Sequence, residues 1–404
     1  MAKARNILPS EQLSKLAVAD VIAGDGASLS AELQAMREAL FPPVSQKTLR
    51  SFSSIEAAKL IGVADAYLRQ ISLQGKGPQP ATSSGGRRSY TLDQINELRS
   101  VLEEGSKSKR YVPHRRENEH CQVLAVVNFK GGSGKTTTAS HLAQYLALQG
   151  YRVLAVDLDP QASLTALHGY QPEYDIEANS TMYAAVRYDE ERRPLRDVIR
   201  KTYFAGLDLV PGNLELMEFE HDTPRALADK STEPFFGRVA TALGSVADDY
   251  DVMVIDCPPQ LGFLTLGALC AATSLLITVH PQMLDVMSMC QFLLMASDML
   301  KVVQNSGASL DYDFIRYVVT RFEPADAPQT QMVAFMRSLF RDRVLNSTMV
   351  KSTAISDAGL SKQTLYEVGR ENFSKQTYDR AVESLDAVNG EIARLIGQAW
   401  GRPA

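Results

Sequence analysis

A short glycine-rich run in the 404-residue chain has the composition and spacing of a phosphate-binding loop. The run K-G-G-S-G-K-T-T follows an apolar stretch that predicts a strand and precedes a predicted helix, Thr138 to Leu148. Glycines let backbone N–H groups surround a phosphate at a helix N-terminus. Lys135 would neutralise β- and γ-phosphate oxygens, and the Thr136 hydroxyl would bind Mg²⁺. The candidate nucleotide-binding residues of this loop are Lys130, Gly131, Gly132, Ser133, Gly134, Lys135, Thr136 and Thr137.

Lys130 distinguishes this loop from the common pattern G-x-x-x-x-G-K-[ST]. The first glycine of that pattern is replaced within the segment Asn128 to Lys130. Lys130 adds a second ammonium that the geometry of the loop does not itself require. A lysine at this place can reach phosphates held by a second copy of the chain, so that ATP would bridge two copies. The alternative interpretation is a solvated lysine.

Three carboxylates follow apolar runs that predict strands. Asp157 and Asp159 end the run V-L-A-V-D-L-D-P-Q, and Asp256 ends V-M-V-I-D-C-P-P, in which Pro258 is assigned to the nucleotide site. Ligands of open α/β sheets gather at the carboxyl ends of strands. We therefore expect Asp256 to hold Mg²⁺ through water, Asp159 to orient the attacking water, and Asp157 to support the loop and the metal. Taken singly, an Asp at a strand end is more commonly a turn or cap residue.

The elements that must position these groups alternate between strands and helices from residue 121 onward. Several of the predicted strands are almost wholly apolar, as is typical of parallel strands covered on both faces. The alternation predicts a doubly wound α/β fold with a mostly parallel sheet, the architecture of a P-loop ATPase. The predicted strands are Val123–Val127, Val153–Asp157, Leu207–Val210, Val252–Asp256, Leu275–Val279 and Ile315–Thr320.

The segment 45–105 predicts a winged helix-turn-helix that binds DNA. A capped helix from Ser53 leads to a tight turn at Gly62, and a second short helix, a Gly/Pro/Ser-rich basic loop and a third helix follow. Residues of the second helix would enter the major groove, and the loop arginines would contact phosphates or the minor groove. The alternative is a small protein-binding domain with a solvated basic loop. The candidate DNA contacts are Tyr67, Arg69, Arg87 and Arg88.

The remaining segments complete a four-part organisation. In the segment 1–44, residues 10–40 have helical apolar spacing that Gly24 to Gly26 interrupt, which predicts two helices or one kinked helix ended by Phe41-Pro42-Pro43. The segment would be a dimerisation segment or a helix folded back on its own chain. Residues 106–120 are polar and basic and predict a linker. The segment 121–404 would form the ATPase domain.

Charge is distributed unevenly along the chain. The net charge is −5, yet residues 45–116 hold 13 Lys and Arg against 6 Asp and Glu. This asymmetry indicates that one segment faces an acidic partner such as DNA. No apolar stretch approaches the length of a spanning helix, and no apolar run follows the N-terminus. The expectation is therefore a cytoplasmic protein without a membrane partner.

These motifs together resemble the ParA/MinD group of deviant-Walker ATPases from Cys121 to Gln398. The N-terminal helix and winged helix make the whole layout similar to the longer ParA proteins of plasmid partition and to the RepA partition ATPases of repABC-type replicons. The resemblance implies a signature lysine, a phosphate-loop lysine, a Mg²⁺ ligand, a catalytic aspartate and a Walker-B aspartate. In that order, the matching residues are Lys130, Lys135, Thr136, Asp159 and Asp256.

The resemblance also implies how such a protein works. Members of the family form a homodimer with ATP between the subunits, bind DNA non-specifically in that state, and associate with the nucleoid. They hydrolyse ATP slowly until DNA and a centromere-bound ParB-type partner stimulate them. Winged-helix members also repress their own operon, which ADP favours. The candidate non-specific DNA contacts are Arg341, Arg343 and Lys351, with solvated surface charges as the alternative.

Two other classes of function stay open on the sequence. A membrane-oscillating ATPase of the MinD kind would need a basic amphipathic C-terminal helix, whereas the end of this chain, Gly390 to Trp400, is short and barely basic. A nucleotide-sensing transcription regulator without a transport role would carry the same motifs. Measured ATP turnover that rises with DNA and a partner protein would separate these classes.

Overall fold

The computed structural model describes residues 18–40, 47–106, 110–228 and 234–403. Helix α1 (Val18–Leu40) lies in a first unit, Met1–Lys47, and the remaining elements lie in a second, Thr48–Ala404. Of the two alternatives predicted at Gly24 to Gly26, two separate helices are wrong, because one continuous helix runs through these residues. A glycine in a helix costs only about 1 kcal/mol and does not remove a hydrogen bond as proline does. The predicted helical residues 10–17 and the stop at 41–43 lie outside the described residues.

A small helical segment with a three-stranded antiparallel sheet opens the second unit. Ser53 caps the first helix, and its side chain and that of Glu56 each accept a backbone N–H from the other residue. Gly62, with φ of 76°, makes the left-handed turn that leads to the next helix. The sheet has the order β1-β3-β2. The elements are β1 (Phe52–Ser53), α2 (Ser54–Ile61), α3 (Asp65–Leu73), β2 (Ala81–Thr82), β3 (Arg88–Tyr90) and α4 (Leu92–Glu104).

A seven-stranded sheet forms the centre of the larger part of the described chain. Its order is β10-β9-β4-β8-β5-β7-β6, and every neighbouring pair is parallel except β6 with β7. The predicted strands are confirmed to within one residue at each end, and the two-residue edge strand β6 was not predicted. The strands are β4 (Gln122–Val127), β5 (Val153–Asp157), β6 (Arg200–Lys201), β7 (Leu207–Val210), β8 (Val252–Asp256), β9 (Ser274–Val279) and β10 (Phe314–Val319).

Helices cover both faces of this sheet, which confirms the doubly wound α/β fold. Leu124 and Val126 of β4 face one buried cluster, and Ala125 and Val127 face the other. Successive side chains of a strand point to opposite faces, so both faces of β4 are buried. The helices are α5 (Lys135–Gln149), α6 (Ser163–Leu167), α7 (Pro172–Asp175), α8 (Met182–Val186), α9 (Leu216–Ala226), α10 (Phe235–Gly244), α11 (Phe263–Ala271), α12 (Met283–Asn305), α13 (Ala327–Phe340), α14 (Thr353–Leu360) and α15 (Lys375–Ala399).

Helix α12 corrects the expectation that no segment has the length and apolarity of a membrane span. By length and composition alone it could cross a membrane, with a mean hydropathy of 1.5 over an 18-residue window that is 22% buried. One such helix is weak evidence for a membrane, because core helices of soluble proteins meet the same criterion. It was not predicted because Asp285 divides the apolar residues at its start. Its exposed apolar residues include Met283, Leu284, Met287, Leu294 and Val302.

The described part of the predicted linker is held against the nucleotide-binding fold. The backbone N–H of Arg115 donates to Asp251 Oδ1 at 3.0 Å, and its guanidinium donates to the Ala247 carbonyl at 2.8 Å. Arg402, near the chain's end, donates to the Pro113 and His114 carbonyls at 2.9 Å each. Residues 110–120 are therefore fixed to the fold rather than extended between two bodies.

Candidate functional site

The strand register brings two of the predicted carboxylates together beside the glycine-rich loop. Asp157 of β5 lies opposite Asp256 of β8, and Asp256 lies opposite Val126 of β4. The loop follows β4 directly. Because these strands are parallel, their carboxyl ends meet at one edge of the sheet, where α/β folds bind ligands. The sheet order thus assembles the loop and both carboxylates in one place.

The conformation of the loop depends on glycine at two positions. Gly132 and Gly134 have φ of 76° and 86°, in the left-handed region that other residues rarely adopt. A Cβ at Gly134 would also lie 3.3 Å from Thr320 Cβ. The Thr320 hydroxyl donates to the Ser133 carbonyl at 2.7 Å, and the Ser133 and Thr278 hydroxyls are 3.1 Å apart. Side chains that follow or belong to β9 and β10 therefore hold the loop open above α5.

A cleft of about 540 Å³ adjoins this loop. It contains six of the residues assigned to the nucleotide from sequence, and its opposite wall comes from the chain around α14. A larger cavity of about 670 Å³ lies elsewhere, and its cations Arg152, Arg196 and Lys201 are ion-paired. The cleft is therefore the better candidate for a phosphate ligand. Residues lining it are Gly131, Gly132, Gly134, Lys135, Thr136, Thr137, Asp159, Gln161, Ser163, Pro259, Arg321, Met349, Val350, Lys351, Ser352, Ile355, Ser356 and Gly359.

Asp256 has the features of a metal-binding carboxylate. It is fully buried, and neither carboxylate oxygen accepts a hydrogen bond from another described residue. Burial, and then the neighbouring Asp157, raise the pKa of Asp256 well above its usual value, while the nearby Thr136 hydroxyl and Lys135 act in the opposite direction. An unpartnered buried carboxylate is costly, so these oxygens call for a cation.

Mg²⁺ fits this arrangement. It prefers oxygen ligands and is usually held by one or two protein groups together with phosphates and water. Thr136 and Asp256 could supply two such oxygens. Consistent with so small a protein ligand set, the described residues contain no cluster of three or more His, Cys, Asp or Glu placed to chelate a metal by themselves.

Asp157 is a positioning residue rather than a free ligand. Its Oδ2 accepts the Thr165 backbone N–H at 2.8 Å and the Thr165 hydroxyl at 2.7 Å, and its Oδ1 accepts the Asp159 N–H at 3.2 Å. Burial raises the pKa of Asp157 to about 7, against the effect of the Thr165 hydrogen bonds. The Thr165 hydroxyl in turn accepts the Gly212 N–H at 2.8 Å. Asp157 therefore fixes the chain that carries Asp159 into the cleft.

Of the three predicted catalytic residues, Lys130, Lys135 and Asp159, the last two line the cleft. The Lys135 ammonium donates to the Lys130 carbonyl at 3.3 Å, and burial lowers the pKa of Lys135 while Asp256 opposes the shift. One carboxylate oxygen of Asp159 accepts the Gln161 N–H at 2.9 Å. This hydrogen bond fixes the orientation of the Asp159 carboxylate at the cleft wall.

Lys130 forms an ion pair inside its own chain that was not predicted. Its ammonium lies 2.8 Å from Asp285 Oδ2, in the first turn of α12. The Lys130 side chain is 41% exposed, whereas that of Asp285 is 7% exposed. His280 Nδ1 lies 4.0 Å from the same carboxylate oxygen. Lys130 is therefore held at the mouth of the loop by a buried carboxylate.

Two further residues of the cleft differ from the prediction. Pro258 lines a neighbouring groove, and the next residue, Pro259, lines the cleft. Arg321 was missed: its Nη1 donates to the Gly132 carbonyl at 3.1 Å, and it has a φ of 52°. The sequence could have indicated this residue, because Arg321 directly follows a predicted strand that ends at the same edge of the sheet as the carboxylates.

The structure brings two predicted DNA contacts of the helix–turn–helix segment together. Tyr67 is 45% exposed on α3, and Arg69 is exposed on the same helix, 2.8 Å from Asp65. Arg88 Nη1, on β3, donates to the Arg69 carbonyl at 3.4 Å. Arg87 lies in the exposed turn between β2 and β3. The four residues thus lie on α3 and on the hairpin beside it.

The C-terminal basic residues do not share one surface. Residues 344–350 run parallel to β10, with Val344 opposite Tyr317 and Val350 opposite Phe322. Arg343 lines a different cavity, together with residues of β10 and α12. Lys351 lines the cleft and pairs with Glu323 at 2.9 Å, whereas Arg341 and Arg343 lie at the far end. The assignment of each of these residues to non-specific DNA stays a prediction.

The strand order, the loop and the carboxylates define a P-loop nucleotide-binding protein of the doubly wound class. A family described as AAA domain matches residues 121–307. A protein of Rhizobium rhizogenes named as a replication protein A is 56% identical over 93% of this chain and 94% of its own length. Protein SopA of Escherichia coli K12 is 31% identical over 89% of this chain and 92% of its own length.

Two solved structures have the same fold. One described as a partition protein is 20% identical, with a TM-score of 0.65, and the match covers 93% of this chain and 99% of that one. The ATP complex of a variant of McdA from Cyanothece is 19% identical, with a TM-score of 0.56 over 71% of this chain and 98% of that one. The relatives above establish that the chain belongs to the ParA/MinD family of ATPases.

Proposed function

We propose that this chain hydrolyses ATP to ADP and phosphate with Mg²⁺ in order to segregate copies of a replicon. The observation that carries the proposal is the buried, unpartnered carboxylate of Asp256 beside a phosphate loop that bears Lys135. The ATP bound in the McdA complex supports the choice of nucleotide for a chain of the same fold.

Each residue of the site has a role that its position supports. The loop N–H groups and Lys135 bind the phosphates, and Asp159 orients the attacking water from the cleft wall. Asp157 positions the segment that carries Asp159. Thr136 and Asp256 would hold Mg²⁺, which supplies charge neutralisation at the phosphates when it is bound. Binding and positioning supply most of the catalysis in phosphoryl transfer.

The proposed transport activity requires two copies and DNA. Lys130 would leave Asp285 and contact the ATP held by a second copy, and the resulting homodimer would bind DNA non-specifically through basic residues such as Lys351. A ParB-type centromere-binding partner and DNA would raise a weak intrinsic hydrolysis rate. The proposed place of action is the nucleoid, in the cytoplasm. The match to a solved structure described as a partition protein supports this assignment.

The segment from β1 to α4 is proposed to be a winged helix that binds the operator of the chain's own operon. Exposed Tyr67 and Arg69 on α3 would contact base edges, and Arg87 and Arg88 would contact phosphates. Residues 1–44 are proposed as a dimerisation segment, which would place two such winged helices on one operator.

Phosphate release from Mg-ATP tests the proposal. Lys135→Ala and Asp159→Asn are expected to lower the rate by at least about 100-fold, the scale of a positioned catalytic group. Asp342→Asn, at an exposed carboxylate that does not line the cleft, is the matched control and should match wild type. Wild-type turnover should rise with DNA and a ParB-type protein. Asp159→Asn with a wild-type rate would contradict the proposed role of the cleft.

The same phosphate-release assay distinguishes the proposed function from a second candidate function. The fusion of a helix–turn–helix segment to the nucleotide fold would also suit a nucleotide-sensing transcription regulator. Such a protein would bind ATP and change its operator affinity, but DNA and the partner together would leave its ATP turnover unchanged.

A further inference from the structure

Arg99 lies at the junction between the helix–turn–helix segment and the nucleotide-binding fold. It belongs to α4 and is 2% exposed. Its Nη2 donates to the Leu60 carbonyl at 2.9 Å and to the Leu148 carbonyl at 2.6 Å, and its Nη1 donates to Asn96 Oδ1. A single guanidinium therefore joins α4 to the ends of α2 and α5.

Both carbonyls are groups that a helix leaves unsatisfied. Leu60 and Leu148 lie in the last turns of α2 and α5, where backbone carbonyls have no partner within the helix. The N–H groups of the turn residues donate to other carbonyls: that of Gly62 to Ala58 and Lys59, and that of Gly150 to Leu146 and Ala147. Arg99 therefore completes both helix ends, whose partial negative charge favours a cation.

The fit around Arg99 is close. Gly150 has a φ of 97°, and a Cβ there would lie 2.8 Å from Arg99 Nη1. Among the described residues no carboxylate lies within ion-pair distance of Arg99, and burial lowers its pKa to about 10. Burying a cation is costly, and such contacts favour one defined geometry more than they add net stability. The contact thus fixes how the two helix ends lie relative to each other.

The two helices that meet at Arg99 lead to the two sites of the protein. Helix α5 begins at Lys135 in the phosphate loop, and its 15 residues place the loop about 22 Å from the junction. Helix α2 is followed, after the Gly62 turn, by α3 with Tyr67 and Arg69. A continuous path of helix, guanidinium and helix therefore connects the phosphate loop to the candidate recognition helix.

We propose that Arg99 couples nucleotide occupancy of the phosphate loop to the position of α3, and thereby to DNA binding. The DNA-binding half of this inference rests on the proposed function of the winged helix. When the loop closes on phosphates, a small shift of α5 moves the Leu148 carbonyl, and Arg99 transmits the shift to the Leu60 carbonyl. Such coupling is reciprocal: DNA changes nucleotide affinity by the factor by which nucleotide changes DNA affinity.

Amide hydrogen exchange of residues 60–73, with and without Mg-ADP, tests the coupling without DNA. In the wild-type full chain, nucleotide is expected to change exchange there by at least about fivefold, the low end of common coupling factors. In Arg99→Met the change should fall below about twofold, because the apolar side chain cannot donate to either carbonyl. Arg238→Met is the matched control and should keep the wild-type response, since Arg238 is a buried arginine whose Nη1 donates to the Val186 and Arg187 carbonyls within the nucleotide fold.

Two additions keep the test decisive. Arg99→Lys retains the charge but not the planar fork of hydrogen-bond donors, so it should also lose most of the exchange response to nucleotide. This variant replaces Arg99→Met in the test if Arg99→Met does not fold. ADP binding to the loop itself should stay within about twofold of wild type in the variant that is used. The proposal is overturned if residues 60–73 of wild type do not respond to nucleotide, or if the Arg99 variants respond as wild type does.

Fluorescence anisotropy with the duplex upstream of the chain's own coding sequence adds the DNA readout. Wild-type affinity should differ between the nucleotide-free chain and the chain with Mg-ADP by the coupling factor, and Arg99→Met should bind this duplex equally with and without Mg-ADP. If wild type shows the exchange response but does not bind the duplex, the operator function fails while the coupling through Arg99 stands.

Discussion

Lys130 shows how one side chain can belong to two states of the protein. Within its own chain it pairs with Asp285, whose side chain is buried, and this carboxylate accounts for its position at the mouth of the loop. In the proposed dimer it contacts a phosphate held by a second copy. Because both partners are anions, the pair with Asp285 competes with dimer formation.

Asp285→Asn is therefore expected to favour the ATP-bound dimer. Loss of a half-exposed ion pair is worth about 1 kcal/mol at most, so the ATP concentration for half-maximal binding to a random-sequence duplex should fall by up to about fivefold. Asp298→Asn, at an exposed carboxylate on the same helix, is the control. A midpoint that is the same for both variants and wild type would show that the Asp285 contact does not restrain Lys130.

The positions of the site residues along the chain explain which of their contacts could be predicted from the sequence. The loop residues lie within eight consecutive positions, and Asp157 and Asp256 end runs that are recognisable as strands. Asp285 lies 155 positions from Lys130, and only the order β9-β4 brings them together. Contacts that depend on the order of strands in the sheet cannot be predicted from local sequence spacing. A carboxylate at the end of a predicted strand can be.

At the scale of elements, the helix–turn–helix segment also contains parts that local sequence predicts and parts that it does not. Its capped helix, glycine turn and final helix were predicted because capping and turn residues act locally. The small strands β1 and β2, of two residues each, carry too few side chains for a period to be visible. The alternative that α1 divides into two helices was wrong for a related reason: two glycines weaken a helix without ending it.

The hairpin of this segment carries a prediction about DNA. Arg87→Ala combined with Arg88→Ala should weaken operator binding and flatten its dependence on salt, by a slope of about 0.9 for each phosphate that is no longer neutralised. Arg196→Ala, at an exposed arginine of the nucleotide fold paired with Asp249, should leave both unchanged. Anisotropy titrations at several salt concentrations measure the slope. A slope equal to that of wild type would remove the hairpin from the interface.

At the scale of the whole molecule, the candidate nucleotide site lies at the carboxyl ends of β4, β5 and β8, and the basic residues proposed to bind DNA lie in several separate places. Of the +7 balance of residues 45–116, only +2 falls in the proposed operator-binding region 45–105, while Lys351 lines the cleft and Arg341 and Arg343 do not. Non-specific DNA binding that depends on ATP is therefore expected to need Lys351 more than the two arginines, because Lys351 alone of the three lines the cleft.

The central claim is that Lys130 acts on the nucleotide of a second copy. Mixing two inactive variants tests it most directly: Lys130→Ala binds ATP but lacks the lysine, and Lys135→Ala keeps the lysine but lacks the phosphate-loop ammonium. Half of the dimers in an equal mixture are mixed and hold one complete site, so about a quarter of the wild-type hydrolysis rate is expected. Lys130→Ala mixed with the double variant Lys130→Ala/Lys135→Ala should stay inactive. A mixture no more active than its separate components, under conditions where wild type hydrolyses ATP, would contradict this claim.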